Sequence, residues 1–335
     1  MIEVNGVCKD FISYKKQPGL VGTVKSLFSR EKIVKEAVRD VSFSIAKGEV
    51  VGYIGANGAG KSTTIKIMSG ILVPTKGRCA VAGLVPYENR RKNAKNIGVV
   101  FGQRTQLWWD LPLGETFQIL KEIYDVGDGD FKRRMDFFNE VLDLQEFMGS
   151  AVRTLSLGQR MRADLAASLL HNPPVLYLDE PTIGLDIVVK DKIRQAIKEL
   201  NDEYKTTIVL TTHDLKDIEE LCSRIIIIDE GSVIYDGSLL DIKSEFGSTG
   251  VVDIEPKSVS GFGKLGVDEH FKKLDDTFVC DVKEGRVAIS FNKNALSSAD
   301  ILNFILNKTM VNDIKLSETG IEDIVRQIYL KEQES

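Results

Sequence analysis

The chain has 335 residues, 43% of them hydrophobic, and a formal net charge of −5. That length suits one large domain with a smaller one, and that charge disfavours broad nucleic-acid binding, which needs a basic face to release counterions. No apolar run approaches the roughly 18 residues of a membrane-spanning helix, and four scattered cysteines without C-x-x-C spacing read as small core residues rather than a disulfide or zinc framework.

Met1, Ile2, Glu3, Val4 and Asn5 have neither the basic region nor the apolar stretch of a signal peptide, so a cytosolic protein is expected. The stretch 15–36 separates Phe11 from a strand-like run at 41–45 and looks like an insertion. Within it Leu20, Val21, Val24, Leu27 and Phe28 share a helical face, with Lys15, Lys16, Lys25, Arg30, Lys32 and Lys35 nearby, which suits a membrane surface or a partner protein. A solvated insertion covering its own domain is the plainer reading. Short apolar runs at 50–54, 175–178, 207–211 and 225–228 alternate with helical stretches, which predicts an α/β core with a mostly parallel sheet. Residues 110–170, including 130–143, carry helical periodicity and read as an inserted helical subdomain.

A boundary is expected near 246–250. Beyond it come strand candidates at 251–254, 278–282 and 287–291, then a helix at 299–307 with Ser297 as its cap and Asp300 three residues on. A last helix is expected where Thr319 and Glu322 have capping-box spacing and Ile321, Ile324, Val325, Ile328 and Tyr329 form one apolar stripe.

The most specific local signal is Gly55-Ala56-Asn57-Gly58-Ala59-Gly60-Lys61-Ser62-Thr63, which fits G-x-x-x-x-G-K-[ST] directly after the 50–54 run. The glycines let successive N–H groups face one concavity at a helix N-terminus, which binds phosphate. Lys61 is expected along the β and γ phosphates, and the Ser62 hydroxyl on a magnesium ion that bridges them. The 175–178 run ends in Asp179 and Glu180. Asp179 is the expected metal-side carboxylate; Glu180 is suited to orient or deprotonate the water that attacks the γ phosphate.

With Leu155-Ser156-Leu157-Gly158-Gln159 standing about twenty residues before these acids, residues 2–240 resemble the ATP-binding cassette (ABC) ATPases. The resemblance implies a phosphate-loop cassette over 1–245 and a small α+β accessory domain over 246–335. Residues 155–159 look like the family's signature motif, with Leu157 where the family usually has glycine. It implies that Ser156, Gly158 and Gln159 reach the γ phosphate held by a second cassette, so ATP sites form in a dimer, a homodimer being expected. Residues 183–186 resemble the D-loop and place Asp186 at the nucleotide; His213 resembles the switch histidine. Phe11 stands where the family stacks an aromatic on adenine, with Tyr14 as a near competitor. Gln103 resembles the Q-loop glutamine, which contacts the magnesium or its water.

Trp108 and Trp109 lie just after Gln103, where family members receive a membrane subunit. The implied protein is the ATPase subunit of an exporter, using ATP and Mg2+, peripheral on the inner face of the membrane and paired with separate permease subunits. It needs no nucleic acid and no cargo site of its own. A soluble ABC ATPase acting on ribosomes or DNA is the competing reading, and a simpler phosphate-loop kinase or GTPase leaves residues 155–159 and His213 without a role.

Overall fold

Four consecutive isoleucines, Ile225 to Ile228, are wholly buried in one strand, as strands are when helices cover both faces of a sheet. The computed structural model describes residues 1–14, 32–102, 104–246, 249–258, 262, 265–283, 286–318, 321, 322, 324, 325, 328 and 329. Gln103, Thr319 and the 15–31 part of the expected insertion lie outside the described residues. The chain divides into two compact units, Met1–Gly237 and Ser238–Ser335. This division falls earlier than the expected 245/246 boundary, because the helix Leu239–Phe246 counts with the second unit.

The first unit runs β1 (Ile2–Tyr14), β2 (Lys32–Ile45), β3 (Val50–Gly55), α1 (Lys61–Met68), β4 (Lys76–Val81), α2 (Arg90–Asn96), β5 (Ile97–Phe101), α3 (Leu113–Ile123), α4 (Asp128–Leu142), α5 (Leu157–Leu169), β6 (Val175–Asp179), α6 (Ile187–Tyr204), β7 (Thr207–Thr211), α7 (Leu215–Leu221), β8 (Arg224–Asp229) and β9 (Ser232–Ser238). Its main sheet has the order β5-β6-β7-β3-β8-β9. The pairs β5·β6, β6·β7, β7·β3 and β3·β8 are all parallel. The adjacent strands β6, β7 and β3 therefore end on the same side, and the segments after them meet at the carboxyl edge where open α/β sheets bind ligands.

A second, antiparallel sheet of order β2-β1-β4 was legible in sequence only as the 41–45 run. Val4, Val41, Phe43 and Ile45 from this sheet share a core with Tyr53, Ile65 and Met68. Farther along the ribbon, Phe11 pairs directly with Lys35 and Ile12 with Val34. Directly opposed residues of an antiparallel pair share a face, so Lys35, expected from sequence to join a basic surface cluster, stands beside Phe11. Helices α3, α4 and α5 lie in the 110–170 stretch read as helical and bury Phe117, Phe138, Leu142 and Leu165. Among the described residues no helix is long and apolar enough to cross a membrane.

The second unit contains α8 (Leu239–Phe246), β10 (Thr249–Pro256), α9 (Val267–Phe271), β11 (Val279–Lys283), β12 (Arg286–Asn292), α10 (Ser298–Leu306) and β13 (Val311–Glu318). The strands pair antiparallel in the order β11-β12-β10-β13. Val252, Ile254, Val287, Ile289 and Phe291 build a separate core with Phe271, Ile301 and Ile305. Ser297 caps α10 through a reciprocal capping box with Asp300. Ile321, Ile324 and Ile328 of the expected terminal stripe are buried. Strand β13, which carries Asn312, Asp313, Lys315 and Ser317, was not anticipated; pairing along β10 overrides its weak strand propensity.

Candidate active site

The phosphate loop is shaped by positions that only glycine serves well. Gly58 and Gly60 have φ of 90° and 109°, a region side chains avoid. A Cβ on Gly60 would also meet the Ala37 carbonyl oxygen at 2.5 Å, and one on Gly55 the Ile228 carbonyl oxygen at 2.3 Å. The Ala59 N–H donates to the Ala56 carbonyl (3.1 Å) and tightens the turn before α1 begins at Lys61. Behind the loop the Tyr53 hydroxyl bonds the Thr64 hydroxyl at 3.2 Å.

Lys61 is buried. Its Nζ donates to the Gly55 carbonyl (2.6 Å) and the Ala56 carbonyl (3.2 Å), which folds the side chain back across the loop. Burial pulls its pKa below the usual lysine value, while the charges of Glu180 and Asp179 work against that shift.

Asp179 ends β6, and its Oδ1 accepts from the Thr211 hydroxyl of the neighbouring β7 at 2.6 Å. Glu180 follows in the left-handed region at φ 57°, with its N–H donating to the Thr211 carbonyl at 2.9 Å. Strain of this kind, held in place by a neighbouring strand, is a recurrent feature of functional sites. His213 follows β7 and meets Glu180 twice: Nε2 lies 3.2 Å from Oε1, and the His213 N–H donates to Oε2 at 3.3 Å. Burial raises the Glu180 pKa above the usual glutamate value; His213 and Lys61 lower it, and Asp179 raises it further. A base poised nearer neutrality is what general-base catalysis favours.

These groups open on one cleft of about 870 Å³, lined by Phe11, Ala56, Asn57, Gly58, Gly60, Lys61, Ser62, Thr63, Asp179, Glu180 and His213. Phe11 is 40% exposed there, with Lys9 Nζ 5.5 Å from its ring centre. Lys66, Ile71 and Arg104 also line the cleft and had no role from sequence, and so does Lys35, which sequence had assigned to a basic surface rather than to this site. The alternation of β1 and β2 was the signal that could have found Lys35. Ser156, Gly158, Gln159 and Asp186 do not line it. Ser156 instead caps α5, its Oγ accepting from the Gln159 N–H at 3.2 Å, and Asp186 caps α6, accepting from the Val189 N–H at 3.0 Å. Leu157 packs on the 183–186 segment: a Cβ on Gly184 would touch its Cδ2 at 3.2 Å.

The carboxylate of Asp164, on α5, ties that helix to the loop after residue 103, accepting from the Thr105 hydroxyl (2.9 Å) and the Gln106 N–H (3.1 Å). Burial pushes its pKa up to about 6. A carboxyl raised in the folded state stabilises the fold while protonated, and that contribution is lost as pH rises through about 6. Asp164→Asn keeps the acceptor and cannot ionise. Relative to the parent it should gain about 1–2 kcal/mol between pH 5 and pH 8, read from urea denaturation at both values; a constant difference would contradict the assignment.

A family model described as ABC transporter matches residues 38–183. The chain is 35% identical over 212 residues to the ABC transporter ATP-binding protein NatA of Bacillus subtilis, covering 63% of this chain and 86% of that relative. The chain belongs to the ABC transporter ATP-binding family. The cassette is also 34% identical over 241 residues to the linearmycin resistance ATP-binding protein LnrL of Bacillus subtilis, covering 72% and 75% of the two chains. Among solved structures it is similar to a dimeric, post-hydrolysis state of the ATP-binding cassette MJ0796 bound to ADP and Pi. That likeness has a TM-score of 0.59 and 27% identity, over 71% of this chain and 99% of the other. The cassette is thus an α/β phosphate-loop ATPase of the kind that serves ABC transporters, and the soluble reading weighed from sequence is not favoured.

Proposed function

We propose that the cassette hydrolyses Mg-ATP between two copies of itself and drives export through separate permease subunits at the inner face of the membrane. The observation that carries the reading is the split site. The phosphate loop, Asp179, Glu180 and His213 share one cleft, whereas the capped start of α5 at Ser156 stands outside it. A second copy would bring its own Ser156, Gly158 and Gln159 over the γ phosphate. MJ0796, a dimer bound to ADP and Pi, supports this arrangement.

In this reading Phe11 stacks on the adenine, Asn57 to Thr63 enclose the phosphates, and Gln103 and Asp186 act at the loop edges. Ser62 and Asp179 would hold magnesium. The fit is chemical: both offer oxygen, the donor hard cations take, and so few protein ligands suit an ion that keeps waters and substrate phosphates around it. Bound there, the ion would neutralise phosphate charge. Glu180 orients the attacking water and takes its proton, and His213 holds the Glu180 carboxylate in place. The first unit is the ATPase domain and the second an accessory domain.

The names of NatA and LnrL support a transporter subunit. Trp108 and Trp109, 38% and 49% exposed, supply the permease contact, with the Arg160 guanidinium 5.5 Å from the Trp109 ring. Purifying tagged Glu180→Gln cassette from its cells in mild detergent with Mg-ATP should recover stoichiometric multispan proteins. Ribosomal or DNA-associated partners without membrane proteins would overturn the reading. Replacing both tryptophans by alanine should weaken permease binding by about 30-fold or more, the scale of an aromatic hot spot, with ATP turnover of the isolated cassette unchanged. Undiminished permease recovery would remove the tryptophans from that contact.

A further inference from the structure

Behind the Glu180–His213 pair lies a buried ionic cluster outside the family motifs. Asp217, on α7, has no exposed surface, and Arg194, on α6, has 2%. Arg194 Nε donates to Asp217 Oδ1 at 2.6 Å, while Asp217 Oδ2 accepts from the hydroxyls of Thr182 (2.5 Å) and Thr212 (2.8 Å). Thr182 stands two residues after Glu180, and Thr212 immediately before His213. Asp214, immediately after His213, accepts at Oδ2 from Lys190 Nζ (2.6 Å) and Arg194 Nη2 (3.2 Å), and its N–H donates to the Thr212 hydroxyl at 2.9 Å.

Lys190 and Arg194 are four residues apart, so they lie on one face of α6. That face grips Asp214 directly and, through Asp217, holds both Thr212 and the segment that follows Glu180. Replacing a buried ion pair by apolar residues is often no less stable, so stability alone does not call for a charge cluster here. The His213 ring is half exposed and meets Glu180 only at 3.2 Å, so its position depends on the backbone that carries it.

We propose that Lys190 and Arg194 are positioning residues for hydrolysis: by holding Asp214 and Asp217, and through Asp217 the hydroxyls of Thr182 and Thr212, they set the placement of His213 against Glu180. Neither lines the nucleotide cleft. Loss of the grip therefore lowers turnover without lowering nucleotide affinity.

The test centres on Lys190→Met, because the Lys190–Asp214 contact is partly exposed and its loss leaves the buried core closed. Misplacement of a catalytic group by about 1 Å costs up to about 100-fold in rate. Lys190→Met should lower kcat about tenfold, with KM and ATP affinity within about twofold of the parent, and Lys190→Arg should restore kcat. The chain has three histidines, His171, His213 and His270. In protein labelled with 15N at histidine, Lys190→Met should shift the His213 ring resonances and leave those of His171 and His270 in place. Parental kcat in Lys190→Met, or a loss that Lys190→Arg does not restore, overturns the proposal. So does a kcat loss with unmoved His213 resonances. Arg194→Lys provides the deeper arm: it keeps the charge but gives up the paired contacts to Asp217 and Asp214, and a kcat loss at preserved ATP affinity is expected.

Discussion

Lys61→Ala is expected to abolish productive ATP binding. Lys61 is the cation built into the loop itself: it opens α1, is largely withdrawn from water, and already bonds two loop carbonyls. An ammonium carries three donors, so a further proton remains for a phosphate oxygen. Hydrogen bonds to charged groups contribute about 1.5–3 kcal/mol each, and about 3 kcal/mol is roughly 100-fold in affinity. Equilibrium binding of a fluorescent ATP analogue and steady-state hydrolysis would measure the loss. Alanine is the best helix former, so circular dichroism should show the fold intact. Parental turnover in this variant would remove Lys61 from the site.

Glu180→Gln should separate binding from hydrolysis. Glutamine keeps the shape of the side chain but cannot accept the proton of the attacking water, and a general base contributes about 100-fold to 10,000-fold in rate. ATP binding should persist while turnover falls by that order, so the variant accumulates as a closed dimer at saturating Mg-ATP. If about 1% of free cassette pairs are closed, ATP must favour closure by about 5.5 kcal/mol to make them about 99% closed. Light scattering with and without Mg-ATP reads the outcome; a persistent monomer, even with its membrane partner added, would refute the closed-dimer mechanism. The pH profile gives a second check. Burial holds the Glu180 carboxyl above the usual glutamate value, so the parent should begin to lose turnover on acidification above that value, and Glu180→Gln should lack that limb.

Local chemistry explains why much of the site was legible before any fold was known. A loop that must adopt positive φ at Gly58 and Gly60 and approach the Ala37 carbonyl admits few residues, so the pattern at 55–63 is both rare and diagnostic. The acids after an apolar strand and the histidine after another are equally local. The helices between 110 and 170 followed from periodicity and α10 from the Ser297 cap, because backbone groups at helix ends require partners close in sequence.

Long-range pairing decided the remainder. The order β6-β7-β3 brings three distant strand ends to one edge, and no spacing in the chain encodes that order. The register of β1 on β2 sets Lys35 beside Phe11, turning a lysine that reads as surface charge into a cleft residue. Arg194 and Asp217 look like ordinary solvated charges in their helices, yet packing closes around them and makes them partners. Strand β13 exists because β10 offers an open edge for its backbone. Motifs whose stereochemistry is confined to a few neighbouring residues declare themselves in the amino-acid sequence. Contacts that depend on strand order, register and burial arise only when the chain folds, because their partners stand tens of residues apart.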